Sequence, residues 1–357
     1  MQMCTPRSNH CHPYRRRKVI RLWKSVVAGA VTLIFVLCVV VPLVFHYSPG
    51  LQRFFLFLNT VTTPISLNRP EDVGLPGTRN FYLKTDKDVT IGIWHILPRS
   101  LIHSVPDDVR EWPVWYESSL KQQQPIILYL HGNKGSRAES HRVELYNKLR
   151  KMDYHVITLD YRGYGDSSSV APSEEGLVAD AKAVFRYLRD KSGHSPLFVW
   201  GHSLGTGVSC HALSELCQEN LCPQGLVLEA PFNNLHDEIR LNPLSQVFHS
   251  LPYFDWAFID PIRDSGNEFK SDSHITHIAC PVLILHAQDD IVVPIELGRK
   301  LYKAAKDARL PDAMPVTFVE LEAEYGFGHL DIPHAPNFLS IISAGTLDGH
   351  PHLLFGG

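Results

Sequence analysis

Short apolar runs alternate with helix-periodic stretches through the larger, C-terminal part of this chain. Seven runs are predicted strands, because they are rich in aliphatic and β-branched residues and are bounded by Gly, Pro or polar residues: 90–97, 126–130, 155–159, 197–200, 225–228, 281–285 and 316–321. Helical spacing occupies residues 140–152 and 174–189, and stretches after Ser203 and after Glu296. The alternation predicts an α/β fold with a mostly parallel sheet covered by helices on both faces.

One connection between predicted strands is much longer than the others. Residues 232–277 insert about 45 residues that are rich in aromatic side chains and proline. A connection of this length inside a compact domain is usually functional. We therefore predict that this insertion is a lid over a binding site, with an inert surface excursion as the alternative.

An uncharged, apolar stretch of 20 residues, 26–45, precedes the body of the chain. As an α-helix it would be about 30 Å long, which is the thickness of the hydrocarbon layer of a bilayer. It is apolar all round, which favours a membrane span over a buried helix. It is also longer than the ~7–15 apolar residues of a cleaved signal peptide. The stretch is therefore a predicted signal anchor that stays uncleaved.

Charge is distributed unevenly along the chain. Residues 1–70 carry nine Lys and Arg and no acidic residue, so the rest holds 25 basic residues against all 37 acidic ones. Because the basic residues precede the apolar stretch, the positive-inside rule puts the N-terminus in the cytosol and the body in the lumen or outside the cell. An acidic body with a short basic head argues against a nucleic-acid-binding domain.

A candidate nucleophile lies in Gly201-His-Ser203-Leu-Gly205, which matches the pattern Gly-x-Ser-x-Gly. A predicted strand comes directly before the motif and a helical stretch directly after it, which is the context that the motif requires. The turn is so tight that side chains larger than hydrogen at the two glycines would clash. In return, the Ser203 hydroxyl is exposed at a helix N-terminus, where the helix dipole favours developing negative charge.

A serine hydroxyl needs a base to become a nucleophile, and the base needs an acid that orients it. On this fold the chain order is Ser, then acid, then His. Asp290 follows the strand after the insertion and begins an Asp-x-x-Val-Pro turn, so it is the predicted acid, with Asp289 as the alternative. His329 follows the last strand in a Gly-Phe-Gly-His run and is the predicted base, with His334 as the alternative.

Two backbone N–H groups should form an oxyanion hole. One is predicted at Leu204, the residue after the nucleophile, and the other at Asn133, in the loop after the strand 126–130. That loop lacks the spacing of a phosphate-binding P-loop. The run 160–167 is interpreted as a structural turn beneath the site.

With these motifs the chain resembles the α/β-hydrolase-domain family, and closely its membrane-anchored branch of monoacylglycerol and lysophosphatidylserine lipases. The matching stretches are Tyr129-Leu-His-Gly-Asn133, Asp160-Tyr-Arg-Gly-Tyr-Gly-Asp166-Ser, Trp200-Gly-His-Ser-Leu-Gly-Thr-Gly207, Leu285-His-Ala-Gln-Asp-Asp290 through Pro294, and Leu297-Gly-Arg-Lys-Leu-Tyr302. The resemblance runs from the predicted anchor to about Gly328.

The resemblance implies an eight-stranded α/β-hydrolase fold and a Ser203, Asp290 and His329 triad that cleaves lipid acyl esters through an acyl-enzyme. It further implies an endoplasmic-reticulum membrane protein with its catalytic body in the lumen. The expected partners are a lipid substrate and the membrane, with no nucleic acid. No cofactor or metal is expected. Cationic residues near the insertion that could meet an anionic headgroup are Arg240, Arg263 and Lys270.

The resemblance also divides the chain into segments. These are a basic cytosolic head, a transmembrane signal anchor, a membrane-proximal linker, a catalytic domain and a tail, at 1–25, 26–45, 46–79, 80–345 and 346–357. In the linker, the apolar residues 51–58 are too short to span a membrane. They are expected either to lie in the membrane interface or to pack on the body. The seven cysteines, including Cys4 and Cys11 in the head, prescribe no disulfide pairing.

The C-terminus departs from the family pattern. The family usually continues past the histidine into an amphipathic helix with basic residues, whereas residues 330–357 contain no Lys or Arg. Only residues 337–343 have a weak helical pattern. The loop that carries His329 is therefore expected to be less well supported than in the family. A non-catalytic lipid-binding protein and a hydrolase of non-lipid esters or thioesters are the alternative functions.

Overall fold

An eight-stranded sheet lies at the centre of the computed structural model, which describes residues 13–61, 65–310 and 313–345. The predicted tail 346–357, residues 1–12 of the predicted head, and with them Cys4 and Cys11, lie outside the described residues. The strands are β1 (Thr78–Asp86), β2 (Val89–Ile96), β3 (Ile126–Leu130), β4 (His155–Leu159), β5 (Leu197–His202), β6 (Gly225–Glu229), β7 (Val282–Ala287) and β8 (Val316–Leu321).

The strand order across the sheet is β1-β2-β4-β3-β5-β6-β7-β8. The strands β3 to β8 are parallel to one another. At the edge of the sheet, β1 pairs antiparallel with β2, and β2 pairs antiparallel with β4. Because parallel strands end at one edge of a sheet, the loops after β3, β5, β7 and β8 emerge together. These are the loops that carry the predicted site residues.

Helices occupy the connections between the strands and most of the N-terminal part of the chain. They are α1 (Pro13–Phe35), α2 (Val41–His46), α3 (Pro49–Phe57), α4 (Trp112–Ser119), α5 (Ser140–Lys151), α6 (Glu174–Lys191), α7 (Leu204–Gln218), α8 (Leu235–Leu241), α9 (Pro243–Gln246), α10 (Asp260–Asp264), α11 (Ser271–His274), α12 (Ile295–Asp307) and α13 (Phe338–Gly345). A π-helical turn, Val36–Val40, joins α1 to α2, and a second one, Asp255–Ile259, precedes α10.

Both faces of the sheet are covered. Along β3, Ile126, Leu128 and Leu130 belong to one buried hydrophobic cluster, whereas Ile127 and Tyr129 belong to another on the opposite face. Strands buried on both faces read as continuous apolar runs, which is why the sequence pattern identifies them. The prediction of a mostly parallel sheet between helical layers is confirmed.

The strand β1 is the element that the sequence pattern did not locate. It pairs only with β2, at the edge of the sheet, and most of its residues are half-buried or exposed. Its sequence mixes charged and apolar residues, because only part of one face needs to be covered. The seven predicted strands are all present, three of them with the predicted ends and the others with ends that shift by one or two residues.

The insertion at 232–277 folds into short helices and turns. Phe254, Ala257, Phe258 and Ile259 form a small hydrophobic cluster of their own, separate from the two clusters of the sheet. Phe45, from the end of the N-terminal helix, packs against this cluster. The insertion is therefore in contact with the predicted anchor.

The three parts of the N-terminal helix together run from Pro13 to His46, and the 29 residues Lys18–His46 within them are long and apolar enough to cross a membrane. Only 6% of its most apolar 18-residue stretch is buried against the rest of the protein. The apolar linker residues then form α3, where Gln52 and Phe57 are buried and Phe54 and Phe55 are exposed. One face of α3 therefore packs on the body, and contact of its exposed face with the membrane interface stays a prediction.

The C-terminal segment packs on the sheet. The weak helical pattern becomes α13, in which Phe338 and Ile342 are buried in a sheet cluster together with Ile332. The Phe338 ring lies 6.0 Å from the ring of Trp200. The loop that carries His329 is thus followed by a packed segment despite the lack of basic residues.

A disulfide joins Cys217, near the C-terminal end of α7, to Cys222. Sequence reasoning missed it, because a separation of five residues prescribes no pairing by itself. Among the described residues, Cys38, Cys210 and Cys280 are free. The disulfide closes the connection that leads from α7 to β6.

A buried ion network supports the turn 160–167. The Arg137 guanidinium forms ion pairs with Asp160 and Asp166, and it donates a 2.9 Å hydrogen bond to the side-chain oxygen of Asn80. The side chains of Arg137 and Asp160 are fully buried. Burying charges is costly unless they are paired and hydrogen-bonded, so each member of this network depends on the others.

Replacing Arg137 by methionine leaves the Asp160 carboxylate buried without its counter-ion. We expect Arg137→Met to lower the free energy of unfolding by about 3–5 kcal/mol. As a control, Arg186→Met removes an exposed ion pair with Glu219 and is expected to cost no more than about 1 kcal/mol. Denaturant titration of the detergent-solubilised chain measures both. Equal losses for the two variants would contradict the network.

Candidate active site

A strained turn between β5 and α7 carries Ser203. Its backbone angles are φ 54° and ψ −119°, a positive-φ conformation that is uncommon for residues other than glycine. A Cβ atom on Gly205 would lie 2.0 Å from the carbonyl oxygen of Leu130, and one on Gly201 would lie 2.5 Å from the carbonyl oxygen of Gly205. No side chain fits at either position, as the tight turn predicts. The two glycines therefore let strand and helix approach closely enough to strain Ser203.

Hydrogen bonds hold the turn in place. The Ser203 N–H donates to the carbonyl oxygen of Glu229 at 3.0 Å, and the Thr206 hydroxyl donates to the carbonyl oxygen of Ser203 at 2.6 Å. Ser203 keeps a small exposed fraction, 8% of the residue. The hydroxyl thus sits on a fixed backbone with limited access from outside.

The structure brings Asp290 and His329 together. The His329 Nδ1 lies 2.7 Å from Asp290 Oδ2, while the N–H groups of Val292 and Val293 each donate to Asp290 Oδ1 at 2.9 Å. Burial acts to raise the pKa of Asp290, but the hydrogen bonds from His286 and His329 outweigh it and hold that pKa well below its usual range. The carboxylate is therefore ionised and fixes His329 with Nδ1 as a donor.

The two alternative residues have other partners. Both carboxylate oxygens of Asp289 accept from the N–H of Gly328 at 3.0 Å, so Asp289 holds the histidine loop rather than the imidazole. The side chain of His334 is 47% exposed and forms an ion pair with Glu144 at 2.8 Å. This geometry favours Asp290 and His329 over both alternatives.

His202 links the histidine loop to the serine turn. Its Nε2–H donates to the carbonyl oxygen of His329 at 3.0 Å, and the two rings lie 5.0 Å apart. In the part of the chain that the structure describes, no hydrogen bond joins the Ser203 hydroxyl to the His329 imidazole. Such bonds are often long without substrate and tighten when it binds. His329 is thus docked on the residue next to Ser203.

The loop after β3 lies against the predicted nucleophile. A Cβ atom on Gly132 would be 3.2 Å from the Cβ of Ser203. The side-chain amide of the next residue, Asn133, donates to the carbonyl oxygen of Leu56 at 3.2 Å, which ties the loop to α3. Leu204 is the first residue of α7, so its N–H has no acceptor within the helix.

A further histidine near the site was missed by sequence reasoning. His141, in the first turn of α5, has its ring 5.9 Å from that of His202. Burial, aided by the charge of Arg142, lowers the pKa of His141 to about 3. It is therefore neutral at physiological pH. Nothing in the spacing of the sequence indicates this proximity, because it depends on how α5 packs.

Three side chains elsewhere could be considered as metal ligands. Within the described residues, Glu174, His211 and His274 form such a group. However, Glu174 already accepts from His211 Nδ1 and from the N–H groups of Glu268 and Phe269, each at 2.7 Å. The two imidazole rings stack in parallel at 4.0 Å, so their in-plane lone pairs do not converge on one point. The group fits a hydrogen-bonded brace between α6, α7 and the end of the insertion.

The cationic residues proposed for a headgroup are already paired. Arg240 pairs with Asp255, Arg263 with Asp260 at 2.9 Å, and Lys270 with Glu268 at 2.8 Å. Arg263 and Lys270 line a cavity of about 350 Å³ within the insertion. An anionic ligand would have to compete with these carboxylates.

The comparisons with known proteins support the fold and show the family. The family model for the alpha/beta hydrolase fold matches residues 125–247. Lysophosphatidylserine lipase ABHD12 of Danio rerio is 41% identical over 316 residues, which cover 88% of this chain and 82% of that protein. The protein of the same name from Bos taurus is 44% identical over 308 residues, covering 86% and 76%. Among solved structures, an alpha-beta hydrolase from Vibrio vulnificus superposes with a TM-score of 0.60 at 18% identity, covering 84% of this chain and 94% of its own, which supports the fold alone.

Adding a methyl group to Gly205 tests the steric requirement of the turn. We expect Gly205→Ala to lower the unfolding temperature clearly, because the new Cβ must displace the backbone at Leu130. Gly50→Ala is the control, since nothing lies within 4 Å of its added Cβ. Thermal unfolding of the two purified variants provides the measurement. If both melted alike, the close approach of α7 to β3 would be wrong.

Glu229 gives a pH-dependent test. It is buried next to Ser203, it accepts a 2.8 Å hydrogen bond from Trp200 Nε1, and burial raises its pKa to about 7. In the unfolded chain it ionises near its ordinary value of about 4.3, so stability should fall as pH rises between these values, by up to about 1.4 kcal/mol per pH unit. Glu229→Gln should remove this loss, so the variant gains stability relative to the parent from pH 4.5 to pH 7.

Denaturant titrations of the parent and of Glu229→Gln over this pH range check the sign. Parallel stability curves for the two proteins would show that Glu229 is not held in its neutral form.

Proposed function

This chain belongs to the α/β-hydrolase family of the lysophosphatidylserine lipases, and on that basis we propose that it is a serine hydrolase that cleaves acyl esters of lysophospholipids. The observation that carries the proposal is the 2.7 Å contact between His329 Nδ1 and Asp290 Oδ2 in a loop docked beside the strained turn of Ser203. The names of the relatives support lysophosphatidylserine as a substrate, and the resemblance supports monoacylglycerols as well.

In the proposed mechanism, the Ser203 oxygen attacks the ester carbonyl while His329 Nε2 takes the hydroxyl proton. Asp290 accepts the Nδ1–H of His329 and stabilises the imidazolium that forms. The imidazolium then protonates the leaving alkoxide, which leaves an acyl-enzyme on Ser203. Water, deprotonated by the same imidazole, attacks the acyl carbonyl, and Ser203 regains its proton as the fatty acid leaves.

We assign to the backbone N–H groups of Leu204 and Asn133 the stabilisation of the negative charge that develops on the carbonyl oxygen. The free N–H at the start of α7 and the loop packed against Ser203 support this assignment. Removing one oxyanion donor typically costs about 2.7–4 kcal/mol of transition-state stabilisation. Because both donors are backbone groups, the shape of the loop matters more than its side chains.

The proposal extends to the arrangement in the membrane. The predicted anchor would keep the body at a bilayer, with the head 1–25 in the cytosol and the domain 80–345, including its lid, in the endoplasmic-reticulum lumen. The Lys18–His46 helix supports a single span by length and composition. The disulfide between Cys217 and Cys222 supports an oxidising compartment for the body.

Alanine at Ser203 or His329 should abolish hydrolysis of lysophosphatidylserine. We expect a loss of at least about 10⁴-fold in kcat, because the two groups act as a unit. His334→Ala is the matched control and should retain the parent rate, since this histidine is exposed and paired with Glu144. Fatty-acid release by the purified full-length chain measures the rates, and thermal unfolding checks that each variant is folded.

The substrate class is tested in the same assay with lysophosphatidylserine, a monoacylglycerol, a thioester and a peptide ester in competition. A preference for the two lipids is expected.

Loss of activity on His334→Ala with retention on His329→Ala would overturn the assignment of the base. A clear preference for the peptide ester or thioester would overturn the lipase assignment, and the absence of any Ser203-dependent hydrolysis would favour a non-catalytic protein.

A further inference from the structure

The insertion is clamped to the N-terminal helix. The Tyr253 hydroxyl donates a hydrogen bond to the carbonyl oxygen of Cys38, and His46 Nδ1 donates to the carbonyl oxygen of Trp256 at 2.7 Å. The His46 ring stacks on the Trp256 ring at 4.0 Å, and Phe45 packs on Phe258 at 5.2 Å. These contacts extend over more than two turns of the helix.

The position of Cys38 sets the depth of the contact. Cys38 lies seven residues before Phe45, the last residue of the uncharged stretch, which is about 10 Å along a helix. The 20 uncharged residues match the hydrocarbon thickness, so Cys38 belongs inside it. Moving the helix outward until Cys38 reached the surface would draw Lys24 and Arg21 into hydrocarbon, which is strongly unfavourable.

Backbone carbonyl groups along the C-terminal part of the N-terminal helix have side-chain partners. The side-chain amide of Gln52 donates to the last carbonyl oxygens of the helix, those of Phe45 and His46, at 2.8 and 2.9 Å. Tyr253 does the same for Cys38. Carbonyl groups that face water need no such partners, whereas carbonyl groups at the level of lipid do.

Exposed apolar side chains surround the clamp. Trp256, Tyr47, Phe54 and Phe55 are exposed. The Tyr47 and Trp256 rings lie 6.3 Å apart, and in a second group the Phe55 ring lies 5.5 Å from that of Phe54 and 6.3 Å from that of Phe45. Leu244, in α9, and Val247, directly after α9, are 76% and 71% exposed, and the ring of the next residue, Phe248, lies 4.9 Å from that of Phe258. Trp and Tyr are enriched at the interface between lipid and water, and Phe, Leu and Val are apolar enough to enter the lipid. We call these six residues the lipid-facing surface.

We propose that the lipid-facing surface enters the bilayer leaflet next to the anchor, so that the insertion is a membrane-embedded lid that admits the acyl chain of the substrate directly from lipid. The proposal rests on the proposed anchor and lipid substrate. The lipid-facing surface contacts the acyl chains of the leaflet at the C-terminal end of the N-terminal helix.

The linker after the N-terminal helix contacts the loop after β3, which carries the proposed oxyanion donor Asn133. The carbonyl oxygen of Leu56 accepts from the Asn133 amide, and that of Val61 accepts from the N–H of Gly135 at 3.1 Å. The carbonyl oxygen of Phe57 accepts from the Tyr164 hydroxyl at 2.5 Å. The linker that lies on the membrane therefore also positions the loop beside Ser203, which couples lipid contact to the site.

The depth of Trp256 in the bilayer is measured by fluorescence quenching, without an assay of ester hydrolysis. The full-length chain is reconstituted into phosphatidylcholine vesicles with and without lipids brominated along the acyl chain, and tryptophan quenching is compared between the parent and Trp256→Phe. Bromine should quench a component of the fluorescence that Trp256→Phe lacks. If the two proteins are quenched equally, Trp256 is in water and the proposal is wrong.

Charge substitution tests the consequence for hydrolysis. The double variant Leu244→Glu with Val247→Glu should raise KM for lysophosphatidylserine in vesicles by at least about tenfold and leave kcat/KM for a short water-soluble ester unchanged. The control is Val109→Glu with Val114→Glu, which adds the same charge elsewhere on the body. Val109, before α4, is 64% exposed, and Val114, in α4, is 76% exposed. It should change neither value.

The outcomes separate the two proposals. Quenching of Trp256 without any ester hydrolysis would overturn the proposed function and retain the embedded lid. Hydrolysis with no quenching of Trp256, or with equal effects of the two double variants on vesicle substrate, would overturn the embedded lid and retain the function.

Discussion

The close approach of α7 to β3 is the constraint on which the site depends. With hydrogen as the side chain at Gly205, the helix can start directly beneath the carbonyl oxygen of Leu130, and Ser203 is forced into its positive-φ conformation. That conformation lifts the hydroxyl out of the strand and leaves the N–H of Leu204 free at the helix start. The loop at Gly132 and the docked His329 loop then pack around the same point.

The electrostatics of the site follow from burial. Asp290 stays ionised because several donors converge on it, while His141 and Glu229 are pushed towards their neutral forms by burial. The ionised Asp290 carboxylate thus lies next to Nδ1 of the His329 imidazole. Such an arrangement stabilises an imidazolium and is suited to proton transfer from a serine.

Much of the fold and of the site could be predicted from the sequence. Buried strands such as β3 are continuous apolar runs, and the order of serine, acid and histidine at strand ends selected Asp290 and His329, which the structure brings together. The edge strand β1 escaped because its exposed face breaks the pattern. His141, the disulfide of Cys217 and the contact of Tyr253 with Cys38 escaped because they join segments whose proximity no local pattern records.

Each step of the proposed hydrolysis requires Ser203 to be the activated nucleophile. Treating the full-length chain with a fluorophosphonate and locating the adduct by peptide mass spectrometry checks this role. We expect one adduct, on Ser203, whose formation is slowed strongly by His329→Ala and not by His334→Ala. An adduct on another residue, or labelling of Ser203 that is indifferent to His329, would contradict it.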